Sequence, residues 1–302
     1  MSNERPPGTS KDGSQQNLAA AERLAGGLPG LLLEADKVAH TFMKGVHGRR
    51  RVGLGESFWQ FRPYQPGDAR RDIDWRQTAK RGDAFVRQME WEASQTFWLY
   101  RDSSESMNYR GYKNLPTKKN FAECLLLALG IVVLNGGEQV SLLGTSLAPQ
   151  THYNSIQRIF EYLPTQTTMA ETGRPVAARS EVVLISDFYY PVPQLSAFCQ
   201  SLALRGISGS LVQVYDPSEE TLPFKGRVKF YDMEAPNGAS YTLPQVEAVR
   251  EEYERRFIAH REALGAAAKS WGWKFSSFST ATKPETALAK LYDDLAVKKG
   301  RT

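Results

Sequence analysis

Short apolar runs alternate with longer helical patterns through most of this chain, and this alternation constrains the fold more than any other feature. Residues 97–100 (Phe-Trp-Leu-Tyr) and 181–186 (Glu-Val-Val-Leu-Ile-Ser) are typical of buried strands. Strands that alternate with helices favour a mostly parallel sheet with helices on both faces. The predicted fold class is therefore α/β, a doubly wound, Rossmann-like sheet. The other predicted elements are helices at 119–134, 153–162, 192–204, 245–269 and 282–297, strands at 139–143, 207–215 and 273–278, and a β-hairpin at about 226–243.

Composition predicts three regions. Residues 1–22 are polar and rich in Pro, Gly and Ser, so we expect a disordered tail that is neither a signal peptide nor a membrane anchor. Residues 23–95 predict an N-terminal subdomain with a helix followed by β and loop structure. Residues 96–298 predict the α/β domain, with the hairpin as an insertion. The longest apolar run, 125–134, is about half the ~20 residues that a membrane-spanning helix needs, so no transmembrane segment is expected.

The two cysteines and the charge distribution bear on the compartment and the partners. Cys124 and Cys199 each lie in an apolar helical pattern, which predicts small core residues and a cytoplasmic protein. The net charge is +5, and residues 44–91 alone carry eleven lysines or arginines against six acids, also +5. Because the acids interleave with the bases, we expect mostly internal ion pairs in that region. The alternative is a nucleic-acid or anionic-surface binding site in the basic region Arg49–Arg87, whose binding should weaken steeply with added salt.

A polar loop follows the strand at 97–100 and carries a carboxylate and two hydroxyls at alternate positions. Asp102, Ser104 and Ser106 form the pattern D-x-S-x-S, and all three offer oxygen, which suits a hard cation such as Mg²⁺. Asp187 directly follows the apolar strand at 181–186, 85 residues after Asp102. Ligands of open α/β sheets bind beyond the carboxyl ends of the strands. The same residue types are also common in turns and helix caps, which is the structural alternative.

Separated blocks of the chain, in order, resemble the signature of the bacterial family called domain of unknown function 58. In that family the signature precedes a von Willebrand factor A-like domain, as it does here before the Asp102 loop. The sequence departs from the family pattern at Arg101, where an apolar residue is usual, and at Lys80, where arginine is more frequent. The matching blocks are Arg62-x-Tyr64-x-Pro66-Gly67-Asp68, Arg71-x-Ile73-Asp74-Trp75 and Ala79-Lys80.

The resemblance implies a metal-ion-dependent adhesion site. Its ligands would be Asp102, Ser104, Ser106, Asp187 and a threonine from the loop at 164–172. Thr168 is the predicted threonine, and Thr165 and Thr167 are the alternatives. The ion would be Mg²⁺ or Mn²⁺, or none if the site is vestigial.

The resemblance also implies a partner. Members are commonly encoded beside MoxR-type AAA+ ATPases and are thought to act with them in assembling or maturing protein complexes. We therefore expect a protein partner of the MoxR type, with nucleic-acid or anionic-surface binding by the basic region as the alternative. No small-molecule substrate is evident.

The chain shows no catalytic constellation. Its four histidines follow no metal-binding spacing, and neither a P-loop nor a glycine-rich dinucleotide turn is present. A phosphotransferase of the haloacid dehalogenase type would need D-x-D after its first strand, whereas this chain has Ser104 at the second position. The sequence therefore predicts an interaction module rather than an enzyme.

Overall fold

The structure is a computed structural model that describes residues 30–47, 57–65, 73–81, 83–90, 94–166, 169, 174–190, 192–234 and 238–296. The predicted tail at 1–22, much of the basic region, and Thr167 and Thr168 lie outside the described residues. The strands are β1 Ser57–Pro63, β2 Phe85–Glu90, β3 Thr96–Arg101, β4 Gln139–Leu142, β5 Glu181–Ser186, β6 Ser208–Tyr215, β7 Val228–Tyr231, β8 Ser240–Leu243 and β9 Lys274–Ser279. The helices are α1 Gly30–His47, α2 Trp75–Arg81, α3 Lys118–Asn135, α4 Asn154–Tyr162, α5 Val192–Leu204, α6 Pro217–Thr221, α7 Arg250–Ser270 and α8 Pro284–Ala296.

A five-stranded sheet with the order β4-β3-β5-β6-β9 forms the centre of the molecule. Every neighbouring pair in it is parallel. Strand β5 is buried along its whole length, as expected for a central strand with helices on both faces. The predicted α/β fold class is therefore confirmed.

Two apolar cores lie on opposite faces of this sheet, because successive side chains of a strand point to opposite sides. On one face, Phe97 and Leu99 pack with α1, α3, α4 and α8. On the other face, Trp98 and Tyr100 pack with α5 and α7. Helix α3 is buried around most of its circumference. Within the described parts of the chain, no helix combines the length and the apolar character that a bilayer crossing requires.

Helix α1 packs against the α/β domain, across the predicted boundary between residues 95 and 96. Its buried stripe includes Leu32, Val38 and Phe42, and it belongs to the same core as α3 and α8. The ring centroids of Phe42 and Tyr292 are 5.1 Å apart. An amphipathic helix must bury its apolar stripe, and here the α/β domain covers it. Helix α1 is thus part of that domain, although residues of the family signature separate the two in sequence.

The rest of the N-terminal region contains an antiparallel β1–β2 pair and the short helix α2. Asp74, immediately before α2, is buried, and its backbone N–H donates to the Phe85 carbonyl at 2.8 Å. The interleaved acids and bases of this region predict internal ion pairs, and an internal pair requires a buried carboxylate of this kind. Its signature neighbours Asp68 and Asp72 lie outside the described residues.

A second antiparallel pair, β7–β8, projects between α6 and α7 within the range predicted for a hairpin. Each of its strands has four residues. Its base is fixed by the Val246 N–H, which donates to the Gly226 carbonyl at 3.1 Å, and by the Phe224 and Phe230 rings, 5.8 Å apart. Tyr231 and Tyr241 on the hairpin are exposed.

Candidate functional site

The candidate site lies at the point where the order of the sheet reverses. The chain runs from β3 to β4 on one side and later returns to β5 on the other. Ligands of open α/β sheets bind at such a switch point, beyond the carboxyl ends of the strands. Asp102 follows β3 and Asp187 follows β5, and the Asp102 N–H donates to the Ile185 carbonyl at 2.9 Å. Both aspartates therefore lie at the same edge.

Hydrogen bonds connect four of the predicted residues. The Ser106 hydroxyl donates to Asp187 Oδ2 at 2.7 Å and lies 3.2 Å from the Ser104 hydroxyl. Asp102 Oδ1 accepts from the Ser104 N–H at 2.9 Å, and its Oδ2 accepts from the Ser186 hydroxyl at 2.5 Å. Sequence reasoning missed Ser186, although it directly precedes Asp187 at the end of β5.

The predicted threonine is the one member of the set that these hydrogen bonds do not place. Thr168 and its neighbour Thr167 lie outside the described residues. Thr165 is described, and its hydroxyl donates to the Tyr162 carbonyl at 2.7 Å. Its hydroxyl proton is therefore used within its own turn.

A buried lysine that the sequence analysis did not predict contacts the second aspartate. Lys118 Nζ lies 2.8 Å from Asp187 Oδ2 and 2.6 Å from Glu219 Oε1, and the lysine side chain is fully buried. Burial alone would lower the pKa of Lys118, but the charges of Asp187 and Glu219 and their hydrogen bonds hold it above its ordinary value. Burial raises the pKa of Glu219. The Lys118 ammonium opposes this rise, but only in part, because Glu219 shares it with Asp187.

Two helix starts place this ion-pair cluster. Lys118 is the first residue of α3, and the hydroxyl of Thr117 caps that helix by accepting from the Asn120 N–H at 3.1 Å. Glu219 belongs to a capping box that opens α6, in which its Oε2 accepts from the Asp216 N–H at 2.7 Å. That box leaves Oε1 for Lys118. The pattern Asp-Pro-Ser-Glu at 216–219 was the sequence signal that could have located Glu219.

The backbone beside Asp187 adopts an unusual conformation. Phe188 is fully buried and has a φ of 57°, in the left-handed region. Its N–H donates to the Ser186 hydroxyl at 2.8 Å, and His260 Nε2 donates to its carbonyl at 3.0 Å. The Tyr189 N–H donates to Asp187 Oδ1 at 3.2 Å, leaving Oδ2 for the serine and the lysine. The turn thus directs the aspartate toward the β3 loop.

Two buried polar side chains, Arg101 and Gln166, hydrogen-bond to the backbone where β3 ends and the Asp102 loop begins. Arg101, the departure from the family pattern, pairs with Glu123 at 3.1 Å and donates to the Asp102 carbonyl at 3.1 Å. Gln166 accepts from the Arg101 N–H at 3.0 Å and donates to the carbonyls of Leu99 and Leu143 at 3.1 and 2.8 Å. Gln166 therefore joins the ends of β3 and β4.

The donor set fits a hard divalent cation. The 3.2 Å between the two serine hydroxyls is close to the ~2.9 Å that separates ligands at right angles when each bond is about 2.0–2.1 Å. Lys118 offers one positive charge to a cluster that contains the carboxylates of Asp102, Asp187 and Glu219. In the described part of the chain, no three His, Cys, Asp or Glu side chains form a metal-binding group by themselves. A cation here would therefore depend on Ser104 and Ser106.

Comparisons with known proteins identify relatives of this chain. Uncharacterized proteins Rv1480 of Mycobacterium tuberculosis and Mb1516 of Mycobacterium bovis are each 25% identical to it over 277 residues, which covers 85% of this chain and 85% of each relative. Among solved structures, BatB from Bacteroides thetaiotaomicron is 15% identical with a TM-score of 0.40, and covers 68% of this chain and 100% of its own. The SpRpn10 VWA domain is 11% identical with a TM-score of 0.33, and the match covers 70% of this chain and 100% of that domain. The model of the family described as Protein of unknown function DUF58 matches residues 60–263, more than half of the chain, so this protein belongs to the DUF58 family, as its signature residues predicted.

Proposed function

We propose that this protein is a protein-interaction module that binds an acidic residue of its partner through a divalent cation at the carboxyl edge of β3 and β5. The observation that supports this most directly is the hydrogen-bonded chain from Ser104 through Ser106 to Asp187, beside the buried carboxylate of Asp102. Hydroxyl ligands are neutral, so an ion held by them keeps much of its charge. Such an ion attracts a carboxylate from another molecule.

The proposed ion is Mg²⁺, with Mn²⁺ as a chemical substitute. Ser104 and Ser106 would be direct ligands, and Asp102 and Asp187 would supply the negative charge around them. Lys118 neutralises one of the three carboxylate charges of the cluster, and the two charges that remain match the charge of a divalent cation. The ion would act as a bridge between two proteins.

The proposed partner is a MoxR-type AAA+ ATPase in the cytoplasm, and the proposed process is the assembly or maturation of other protein complexes. Membership in the DUF58 family supports this partner, and the site supports the chemistry of the contact. As a bridge rather than a catalyst, the protein should hydrolyse no nucleotide when it is separated from co-purifying ATPases. Turnover that disappears in Asp102→Asn would contradict this part of the proposal.

A thermal melt in Mg²⁺ and in EDTA tests the proposed site. If the ion binds the folded protein alone, Mg²⁺ at about 100 times its Kd should stabilise the wild type by roughly 2.7 kcal/mol. Asp102→Asn should lose most of that shift, whereas Glu105→Gln should keep it. Glu105 is the matched control because it is exposed in the same loop and accepts a hydrogen bond from Asn108 at 2.9 Å.

The partner contact needs its own measurement. A purified MoxR-type ATPase should bind the wild type in Mg²⁺ and dissociate in EDTA, and Ser106→Ala should weaken the complex. If the melt shows no Mg²⁺ dependence at millimolar ion and the complex survives EDTA, the proposed mechanism is wrong.

A further inference from the structure

A carboxylate from elsewhere in this chain already lies at the serine loop. The Ser106 N–H donates to Glu234 Oε1 at 2.7 Å, across 128 residues of sequence. Glu234 follows β7 at the outer end of the β7–β8 hairpin, and its side chain is exposed. Ser106 is also the residue whose hydroxyl contacts Asp187. An acidic group of the chain therefore lies next to the position where an acidic group of a partner would bind.

The hairpin that carries Glu234 is a small, separately anchored element. Its two strands pair only with each other within the described residues, and two-stranded hairpins by themselves are marginally stable. The base is held, since Arg250 donates to the carbonyls of Leu222 and Phe224 at 3.0 and 2.7 Å. At the outer end, the Glu234 N–H donates to Asp232 Oδ1 at 2.9 Å, which fixes the turn that carries the carboxylate. Displacement of Glu234 from Ser106 therefore requires movement of the outer end alone, with the contacts at the base kept.

We propose that Glu234 is a built-in competitor for the acidic residue of the partner. This inference rests on the proposed function, because it assigns Glu234 to the acid-binding position of that same site. With the hairpin closed, Glu234 occupies the position, and a partner binds after its own carboxylate displaces it. The apparent Kd for an external acid is then the intrinsic Kd divided by the fraction of open protein. A hairpin that is open one-tenth of the time weakens the apparent affinity about tenfold.

The site with Mn²⁺ alone provides a direct test, because water-proton relaxation reports how many water molecules the bound ion carries. If Glu234 occupies a position on the ion, Glu234→Ala should carry about one more water on bound Mn²⁺ than the wild type. Acetate, a minimal carboxylate, should then displace that water and lower the relaxivity of Glu234→Ala, whereas the relaxivity of the wild type should change little, because Glu234 already holds the position. Glu105→Gln removes one negative charge from the same loop without touching the Ser106 amide, so it should match the wild type in both measurements.

The outcomes separate the competitor from the site itself. If Mn²⁺ binds all three proteins with the same number of waters and the same response to acetate, Glu234 is not a competitor, although the metal site stands. If Glu105→Gln behaves like Glu234→Ala, the effect is one of net charge and the assignment to Glu234 is overturned. If none of the three proteins binds Mn²⁺, the proposed function fails, and the competitor fails with it.

Discussion

Replacing Lys118 with methionine is the most informative perturbation of the site. The change keeps the length of the side chain and the helix propensity at the start of α3, and it removes the ammonium that lies between Asp187 and Glu219. Removing one partner of a buried ion pair costs about 3–5 kcal/mol, because the remaining charges stay desolvated. Lys118→Met should therefore be strongly destabilising.

The remaining hydrogen bonds set the loss toward the lower end of that range. Asp187 keeps its bonds from Ser106 and Tyr189, and Glu219 keeps its bond from the Asp216 N–H. We therefore expect a loss of about 3–4 kcal/mol. At roughly 2–4 °C per kcal/mol, the melting temperature should fall by about 6–16 °C.

Chemical denaturation and thermal melts in EDTA measure this loss without any contribution from a divalent ion. Lys119→Met is the matched control, because it removes the same charge from the next residue of α3, and it should change stability by roughly 0.5 kcal/mol or less. Combining Lys118→Met with Glu219→Gln should recover part of the loss, since one stranded charge is gone. A Lys118→Met protein within 1 kcal/mol of the wild type would refute the reasoning, because the two carboxylates would then not need the lysine.

Three further predictions concern groups outside the proposed cation site. Gln166→Ala leaves three buried backbone groups without their side-chain partner, so the free energy of unfolding should fall by roughly 2–4 kcal/mol, measured by urea denaturation. Burial raises the pKa of the Cys124 thiol, and that of Cys199, to about 12, so neither should react with a thiol reagent at pH 8 until the protein unfolds. Burial, with nearby negative charge, raises the pKa of Tyr253 from 10.0 to about 12. A pKa that folding raises contributes stability below the pKa of the unfolded chain, and this contribution is lost as the pH rises toward the pKa of the folded protein. The free energy of unfolding should therefore fall between pH 10 and 12, while absorbance at 295 nm rises as the phenol ionises.

The sheet was predictable from sequence because its central strands are apolar along their length. Strand β5 has the predicted bounds, since a strand buried on both faces leaves no polar interruption in its sequence. The same logic explains why Asp102 and Asp187 could be expected at one edge, because parallel strands bring their carboxyl ends together. The pattern after β3 was local, so a reading of consecutive residues could find Ser104 and Ser106.

The remaining parts of the site depend on contacts that no local pattern contains. Lys118 meets Asp187 across 69 residues and Glu219 across 101, and both contacts depend on how the crossover helices pack. Glu234 reaches Ser106 through a hairpin whose direction is set by its base. The packing of helix α1 against α3 and α8 was not predictable for the same reason, since an apolar stripe shows that a helix is buried but does not identify the element that buries it.

The left-handed backbone at Phe188 limits the sequences that can occupy the position beside Asp187. A β-branched residue is a steric outlier at positive φ, so valine, isoleucine and threonine are excluded there. Glycine adopts this backbone conformation without strain, but it lacks the ring that packs in the core between the sheet and helices α5 and α7. A substitution at this position must therefore tolerate a positive φ and also fill the volume of the phenylalanine ring. In a saturation library at residue 188, we expect few variants to fold, and those variants should carry large side chains that are unbranched at Cβ.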